Sequence, residues 1–385
     1  MTLSVAHSCN TWLPLTEGWL DRQIRFLPLA EIEAHIICES TQNLDTFAWP
    51  NIHTLPRHSL HGTVLKGLRK LGMPFFFPHA KRAIAAHNIK IVHSHFGNRG
   101  WLDLGLVKQT GAKQVVTFYG WDVNHLPQKR PIWRQRYQEM FAQAELILCE
   151  GSHMRQSLLK LGANPDRTRV QHLGVAVDEI LFQTRQRRLD EPLKVLLAAT
   201  FTPKKGLPDG LEAMGRLRQE QGIPLQITII GDARATQKDQ AEKQKILAAL
   251  DRWNLRPFTR LLGYQPYATL FAEAYQHHIF LSPSRTAPDG DTEGGAPVSL
   301  IDMQATGMPV VSTTHCDIPE VVQHGRTGLL AAEGDIVGLV QHLHWLAENP
   351  DAWAGIGTAG RQHIEQEYDA RRQGQRLAKI YQELG

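Results

Sequence analysis

Short apolar runs of strand length recur through this sequence in two series, each run separated from the next by enough chain for a helix, and that alternation leaves few architectures open. The first series is 3–7, 34–38, 89–95, 114–119, 146–149 and 169–173; the second is 193–199, 225–230, 260–263, 279–282 and 309–313. Strands joined by helical crossovers pair in parallel, because a parallel connection is too long for a tight turn. The expected fold class is therefore α/β, with two Rossmann-like doubly wound domains facing each other across a cleft. Two domains also suit a chain of 385 residues, which exceeds what one core usually supports. The polar, basic segment 183–191 separates the series and is read as the boundary, giving an N-terminal domain 1–183 and a C-terminal domain 184–366.

In sheets of this kind ligands bind beyond the carboxyl ends of the strands, so motifs that directly follow a strand matter most. The richest runs from Arg285 to Pro309 and contains Glu293-Gly-Gly-Ala-Pro297. Pro297 is placed as the first residue of a helix, and Gly294 and Gly295 let backbone amides approach a ligand closely. A helix start adds free N–H groups and partial positive charge suited to phosphate. Glu293 and Asp302 then flank a bound sugar nucleotide. A second segment, Ala198 to Gly206, puts Lys204 and Lys205 at the edge of the same sheet, where a lysine can neutralise a departing diphosphate. Taken alone, either segment also reads as a solvated surface turn; together they favour a phosphate site. Gly231-Asp232 is a further edge turn in which Asp232 caps the next helix equally well. There is no Gly-x-Gly-x-x-Gly after a first strand and no Gly-x-x-x-x-Gly-Lys-Ser/Thr, which argues against a dinucleotide oxidoreductase and a P-loop nucleotidase.

In the first half, His93-Ser-His95 and Tyr119-Gly-Trp-Asp122 end strands. His93 and His95 point the same way and suit zinc only with a third ligand that the sequence does not reveal, so buried hydrogen-bonded histidines are the preferred reading. Tyr119 and Asp122 fit either contacts to sugar hydroxyls or a core aromatic and a turn residue. Cys9, Cys38, Cys149 and Cys316 lack metal or redox spacing and read as reduced thiols. The excess of Lys and Arg over Asp and Glu is only four, too small to imply nucleic acid. No secretory signal or membrane span is evident, so the chain is expected in the cytoplasm. Residues 61–90 set Leu65, Leu68, Leu71 and Phe75 to Phe77 beside Lys66, Arg69, Lys70, Lys81 and Arg82. Packing on the N-terminal sheet is the first reading of those apolar residues, and peripheral contact with the inner face of an anionic membrane is the hypothesis beside it.

With these motifs in hand, the chain resembles the retaining glycosyltransferase family 4, of the GT-B fold, and its colanic-acid-type exopolysaccharide branch. The likeness runs from Thr11-Trp-Leu-Pro through His93-Ser-His-Phe-Gly to Gly325-Arg-Thr-Gly-Leu-Leu330, and is strongest from Glu293 to Leu330. The resemblance implies transfer of a sugar from a nucleoside diphosphate sugar with retained anomeric configuration and no obligatory metal or other cofactor. The implied acceptor is a saccharide or lipid-linked saccharide in surface polysaccharide synthesis. It also implies that a C-terminal helix, 367–385, crosses back onto the N-terminal domain. By motif position Lys205, Glu293, Tyr119 and Asp122 are the expected catalytic residues, with Thr200, Lys204, Gly294, Gly295, Ala296 and Asp302 lining the donor. The chain departs from the family at three points. Glu293 and Asp302 are nine positions apart where the family's acids are eight apart, Thr200 stands where an arginine is usual, and Tyr119 replaces a histidine. Those departures keep two other readings in view, a catalytically weak nucleotide-sugar-binding subunit and a sugar-nucleotide epimerase on the same scaffold.

Overall fold

The computed structural model describes residues 2–14, 17–54 and 78–385, so residues 61–77 of the basic apolar stretch lie outside the described residues. The chain divides into two compact units, Met1–Val175 together with Asp369–Gly385, and Ala176–Tyr368.

The first unit is built on seven strands: β1 (Leu3–Ser8), β2 (Ile32–Cys38), β3 (Ile52–Thr54), β4 (Ile91–His95), β5 (Lys113–Thr117), β6 (Leu146–Cys149) and β7 (Thr168–Val170). All pair in parallel in the order β3-β2-β1-β4-β5-β6-β7. The order reverses between β1 and β4, and the two crossovers leaving that point in opposite directions open a crevice at the strands' carboxyl ends. β4 is buried along its whole length although three of its five residues are polar. The helix Ala370–Leu384 is part of this unit: Asp369 caps it by accepting from the Arg372 amide at 2.9 Å. Its Leu377, Ala378 and Tyr381 join the core formed by Val5, Ile32 and Ile36. A Cβ at Gly374 would stand 2.1 Å from the Phe26 carbonyl oxygen, so only glycine allows the helix this close.

The second unit repeats the winding with six parallel strands: β8 (Leu193–Ala198), β9 (Leu225–Ile230), β10 (Thr259–Gly263), β11 (Ile279–Ser282), β12 (Val310–Thr313) and β13 (Leu329–Ala331). Their order is β10-β9-β8-β11-β12-β13, with the reversal between β8 and β11. Leu211, Met214 and Leu217 of the helix Leu207–Glu220 and Leu339, Leu343 and Leu346 of the helix Ile336–Glu348 share one core with β8 and β9. The break between units falls ahead of the basic segment 183–191, because that segment is fastened to the second unit. Buried Arg185 donates to the carbonyls of Ala274 at 3.0 Å, His277 at 3.1 Å and Thr306 at 3.1 Å, and Arg187 to that of Ala347 at 2.7 Å. These carbonyls take up the guanidinium donors that burial would otherwise strand. Among the described residues, no helix is long and apolar enough to cross a membrane.

Candidate functional site

The strongest constellation lies at the reversal point of the second sheet. β8 ends at Ala198, and the chain passes through Thr200 into the short 3-10 turn Pro203–Lys205 and then the helix Leu207–Glu220. Gly206 joins them with φ +62°, and a Cβ there would lie 1.9 Å from the Pro283 carbonyl oxygen, so the turn after β8 sits directly on the loop after β11. The adjacent lysines divide their work. Lys204 donates to the Thr292 carbonyl at 2.8 Å and pairs with Asp291 at 3.3 Å, bracing the loop. Lys205 pairs with Glu293 at 2.8 Å, and the same carboxylate accepts from the Ser284 hydroxyl at 2.8 Å. The side chain of Glu293 is only 7% exposed. Burial pushes its carboxyl up, but Lys205, then Lys204, with hydrogen bonds from Lys205 and Ser284, overcome this and hold it below the ordinary glutamate value. The site thus presents an ionised acid and a fixed ammonium side by side.

Gly294, buried, takes φ +79°, and Gly295 is buried beside it. Pro297 stands one place earlier than the sequence suggests, as the N-cap of the helix Val298–Ala305. Asp302 lies in that helix's second turn and is 1% exposed. Thr200 is half-buried, and its carbonyl accepts from the Thr202 amide at 2.8 Å. Ala296 is half-buried between Gly295 and the cap.

Sequence reasoning missed Ser284, Arg285, His315 and Glu333. His315 follows β12 and accepts from the Glu293 amide through Nε2 at 3.1 Å, while its Nδ1 donates to Glu333 at 2.6 Å. The Glu333–His315 contact thereby fixes the tautomer that supports the Glu293 backbone. Arg285 accompanies the turn after β8: its amide donates to the Lys204 carbonyl at 2.8 Å and its guanidinium pairs with Asp209 at 2.7 Å. Applying the carboxyl-edge rule to β12 as well as to β8 and β11 would have found His315. Ser284 lies just ahead of the segment that begins at Arg285, and Arg285 opens that segment, but neither occupies a motif position in it.

In the first unit the reversal point gathers three buried imidazoles. His7 of β1 meets His95 of β4 at 3.0 Å, Nδ1 to Nε2, and His95 Nδ1 meets the Tyr119 hydroxyl at 2.6 Å. The Tyr119 hydroxyl also reaches Gln23 Oε1 at 3.2 Å. Because Gln23 Oε1 only accepts, Tyr119 donates to it, His95 donates to Tyr119 through Nδ1, and His7 donates through Nδ1 to His95 Nε2. His7 thus supplies the third histidine that sequence could not locate, with ligand atoms of the three rings within 4.8 Å of one another. Both nitrogens of His93 are nevertheless taken, by Tyr381 at 2.5 Å and Thr117 at 2.6 Å. The group is a hydrogen-bonded cluster whose members burial keeps uncharged: it brings His7 down to about 3 and pushes His93 and His95 well below the usual histidine range. Asp122, fully buried, accepts from the Gly97 amide at 2.7 Å and the Tyr119 amide at 3.0 Å, tying the chain after β4 to the chain after β5. Burial raises its carboxyl to about 6 against the pull of those amides.

Two matching family descriptions divide between the units. "Glycosyltransferase Family 4" covers residues 19–179, and "Glycosyl transferases group 1" covers residues 192–349. The chain is 33% identical over 319 residues to the amylovoran biosynthesis glycosyltransferase AmsK of Erwinia amylovora, across 82% of this chain and 74% of that protein. It is 28% identical to WcaL of Escherichia coli strain K12, a glycosyltransferase assigned to colanic acid biosynthesis, across 76% of this chain and 70% of WcaL. Anabaena Alr3699/HepE, solved in complex with UDP-glucose, superposes with a TM-score of 0.77 at 14% identity, covering 99% of this chain and 100% of that one, which establishes the shared GT-B fold. The chain is a glycosyltransferase and belongs to family 4, in the branch of the amylovoran and colanic acid enzymes.

Proposed function

We propose that this glycosyltransferase moves a sugar from a nucleoside diphosphate sugar, with retention at the anomeric carbon, to a saccharide or lipid-linked saccharide acceptor in surface polysaccharide synthesis. The observation that carries the donor reading is the half-buried Lys205–Glu293 pair, held at 2.8 Å where the sheet order reverses and flanked by Gly206, Gly294 and Gly295. A diphosphate seated there meets the ammonium of Lys205 and the amides of the Gly-Gly turn. Glu293 faces the hexose, and Asp302 and Thr200 line the nucleotide. The names of AmsK and WcaL and the UDP-glucose bound by HepE support the same direction.

In this reading the acceptor hydroxyl enters on the face from which the diphosphate departs. The C–O bond to the acceptor forms as the bond to the diphosphate breaks, and a diphosphate oxygen takes the hydroxyl proton. No protein nucleophile takes part. Lys205 and the loop amides meet the charge developing on the leaving group, without a metal ion in the scheme. A positioned donor of this type is worth ~10²–10³ in rate. The test is transfer from UDP-, GDP- and ADP-sugars to lipid-linked saccharide fractions, with the product's anomeric configuration read by NMR. Retention with one donor class is the expected result. Inversion, or donor interconversion without any acceptor, overturns the proposal.

A further inference from the structure

A second group of histidines lies away from the reversal points, on the face of the first sheet covered by the helix Pro78–Ala86. His35 is central in β2 and fully buried; His53 is central in β3. Across that strand pair Ile37 is the register partner of His53, so His35, two residues back, projects from the same face as His53. His87 follows the covering helix and packs tilted against both, with ring centroids 4.5 Å from His35 and 5.1 Å from His53. One ring nitrogen from each of the three lies within 4.8 Å of the others.

The 3.2 Å between His35 Nδ1 and His53 Nε2 is close to the ~3.3 Å between neighbouring ligand nitrogens of a tetrahedral ion with bonds of ~2.0–2.1 Å. The remaining nitrogen of His35 lies beside a carboxylate: Nε2 is 3.5 Å from Glu33 Oε2, too long for a good hydrogen bond but within reach of one after a small ring shift, and Glu33 is itself held by the Ser4 hydroxyl at 2.9 Å. A metal-bound histidine characteristically donates its second N–H to such a carboxylate, which directs the other lone pair toward the ion. The 3.2 Å contact is also a hydrogen bond between the two rings, so an ion would take the place of its proton, and a proton on Nε2 facing Glu33 leaves the His35 lone pair on Nδ1. His87 is exposed and His53 half-buried, which gives an ion a way in and the rings freedom to close on it. The His7, His93 and His95 cluster differs in being buried throughout and in having both nitrogens of His93 held by hydroxyls, of Tyr381 and Thr117, with no outer carboxylate on that ring among the described residues.

We propose that His35, His53 and His87 form a binding site for a divalent transition-metal ion of the zinc type, with Glu33 as the outer carboxylate that orients His35. The ion would clip the edge of the sheet to the end of its covering helix, and it takes no part in sugar transfer.

The test uses tag-free full-length chain, stripped with chelator, titrated with Zn²⁺ by calorimetry and with Co²⁺ by visible absorption. The expected result is one saturable equivalent, tetrahedral Co²⁺ bands, and a metal-dependent rise in Tm. His53→Ala and His87→Ala should each abolish the bands, and Glu33→Gln should weaken Zn²⁺ roughly 10–100-fold. His324→Ala serves as control, because His324 and His342 form a separate imidazole pair in the second unit and their loss should change nothing. The absence of saturable binding, or binding that survives both His53→Ala and His87→Ala in protein of native circular dichroism, overturns the proposal. So does binding lost only in His324→Ala.

Discussion

Replacing Lys205 with alanine separates what this residue does for the fold from what it does for transfer. At 2.8 Å and an effective dielectric near 20, its attraction to Glu293 is about 6 kcal/mol before desolvation is subtracted. Much of that is offset by the cost of keeping both charges from water. The Lys205 side chain is one-fifth exposed, and the Ser284 bond to Glu293 survives the substitution. The net loss should therefore be close to that of one charged hydrogen bond, about 1.5–3 kcal/mol. Turnover should fall further, by ~10²–10³, because the ammonium also meets the leaving diphosphate. The decisive comparison is Lys205→Met combined with Glu293→Gln, which leaves no unpaired buried charge and should recover most of the lost stability. Transfer should stay at the level of the single variant. Tm by calorimetry and initial rates at saturating donor give both readings on the same preparations. Turnover of Lys205→Ala within a few fold of the parent, or turnover that returns with stability in the double variant, would refute the assignment of Lys205 to the leaving group.

Other consequences can be checked on the same footing. Gly206→Ala should cost about 1–3 kcal/mol from its positive φ alone, more once its Cβ meets the Pro283 carbonyl, and should weaken donor binding, measured by calorimetry. Tyr381→Phe should lower stability by about 1–3 kcal/mol in chemical denaturation, because it strips a partner from buried His93. Asp122 has its carboxyl raised to about 6, so its contribution is fully present below the unfolded value and lost as pH rises through about 6; that segment of the pH–stability profile should disappear in Asp122→Asn. The depressed Glu293 carboxyl acts in the opposite sense. Its contribution holds at neutral pH and is lost as pH falls below the ordinary glutamate range through its lowered value, and Lys205→Ala should flatten that acid limb.

Most of the sheet architecture was legible because the strands carry short apolar stretches bounded by polar or glycine residues, even where, as in β4 and β5, only part of the strand is apolar. In the two main sheets β3 and β13 escaped notice, as did the two-residue pair Thr11–Trp12 and Ser40–Thr41, all too short for a period to register; β7 is as short as β3 but overlaps the longer run 169–173. The start of the second unit was misleading for a definite reason. A segment rich in Arg and Gln looks solvated, yet Arg185 and Arg187 are buried against carbonyls that only the folded unit assembles. The same limit applies to the sites. Lys204, Lys205 and Glu293 were visible because each follows a strand in a recognisable turn, whereas the support of Glu293 by His315 and Glu333 joins residues 18 to 40 positions apart. The cluster of His35, His53 and His87 was invisible for that reason too, since strand register and a covering helix bring it together.

The most direct test of the central claim is a thermal-shift titration of the folded chain with UDP, GDP and ADP, each alone and as its common sugar conjugates, in the parent and in Lys205→Ala. A ligand at a hundredfold its dissociation constant stabilises the native state by about 2.7 kcal/mol, a shift well within reach of the assay. The account expects one base to stand out in the parent and its shift to shrink sharply in Lys205→Ala. A folded parent that responds to none of them, or a response undiminished by the loss of Lys205, would contradict a donor site built on the Lys205–Glu293 pair.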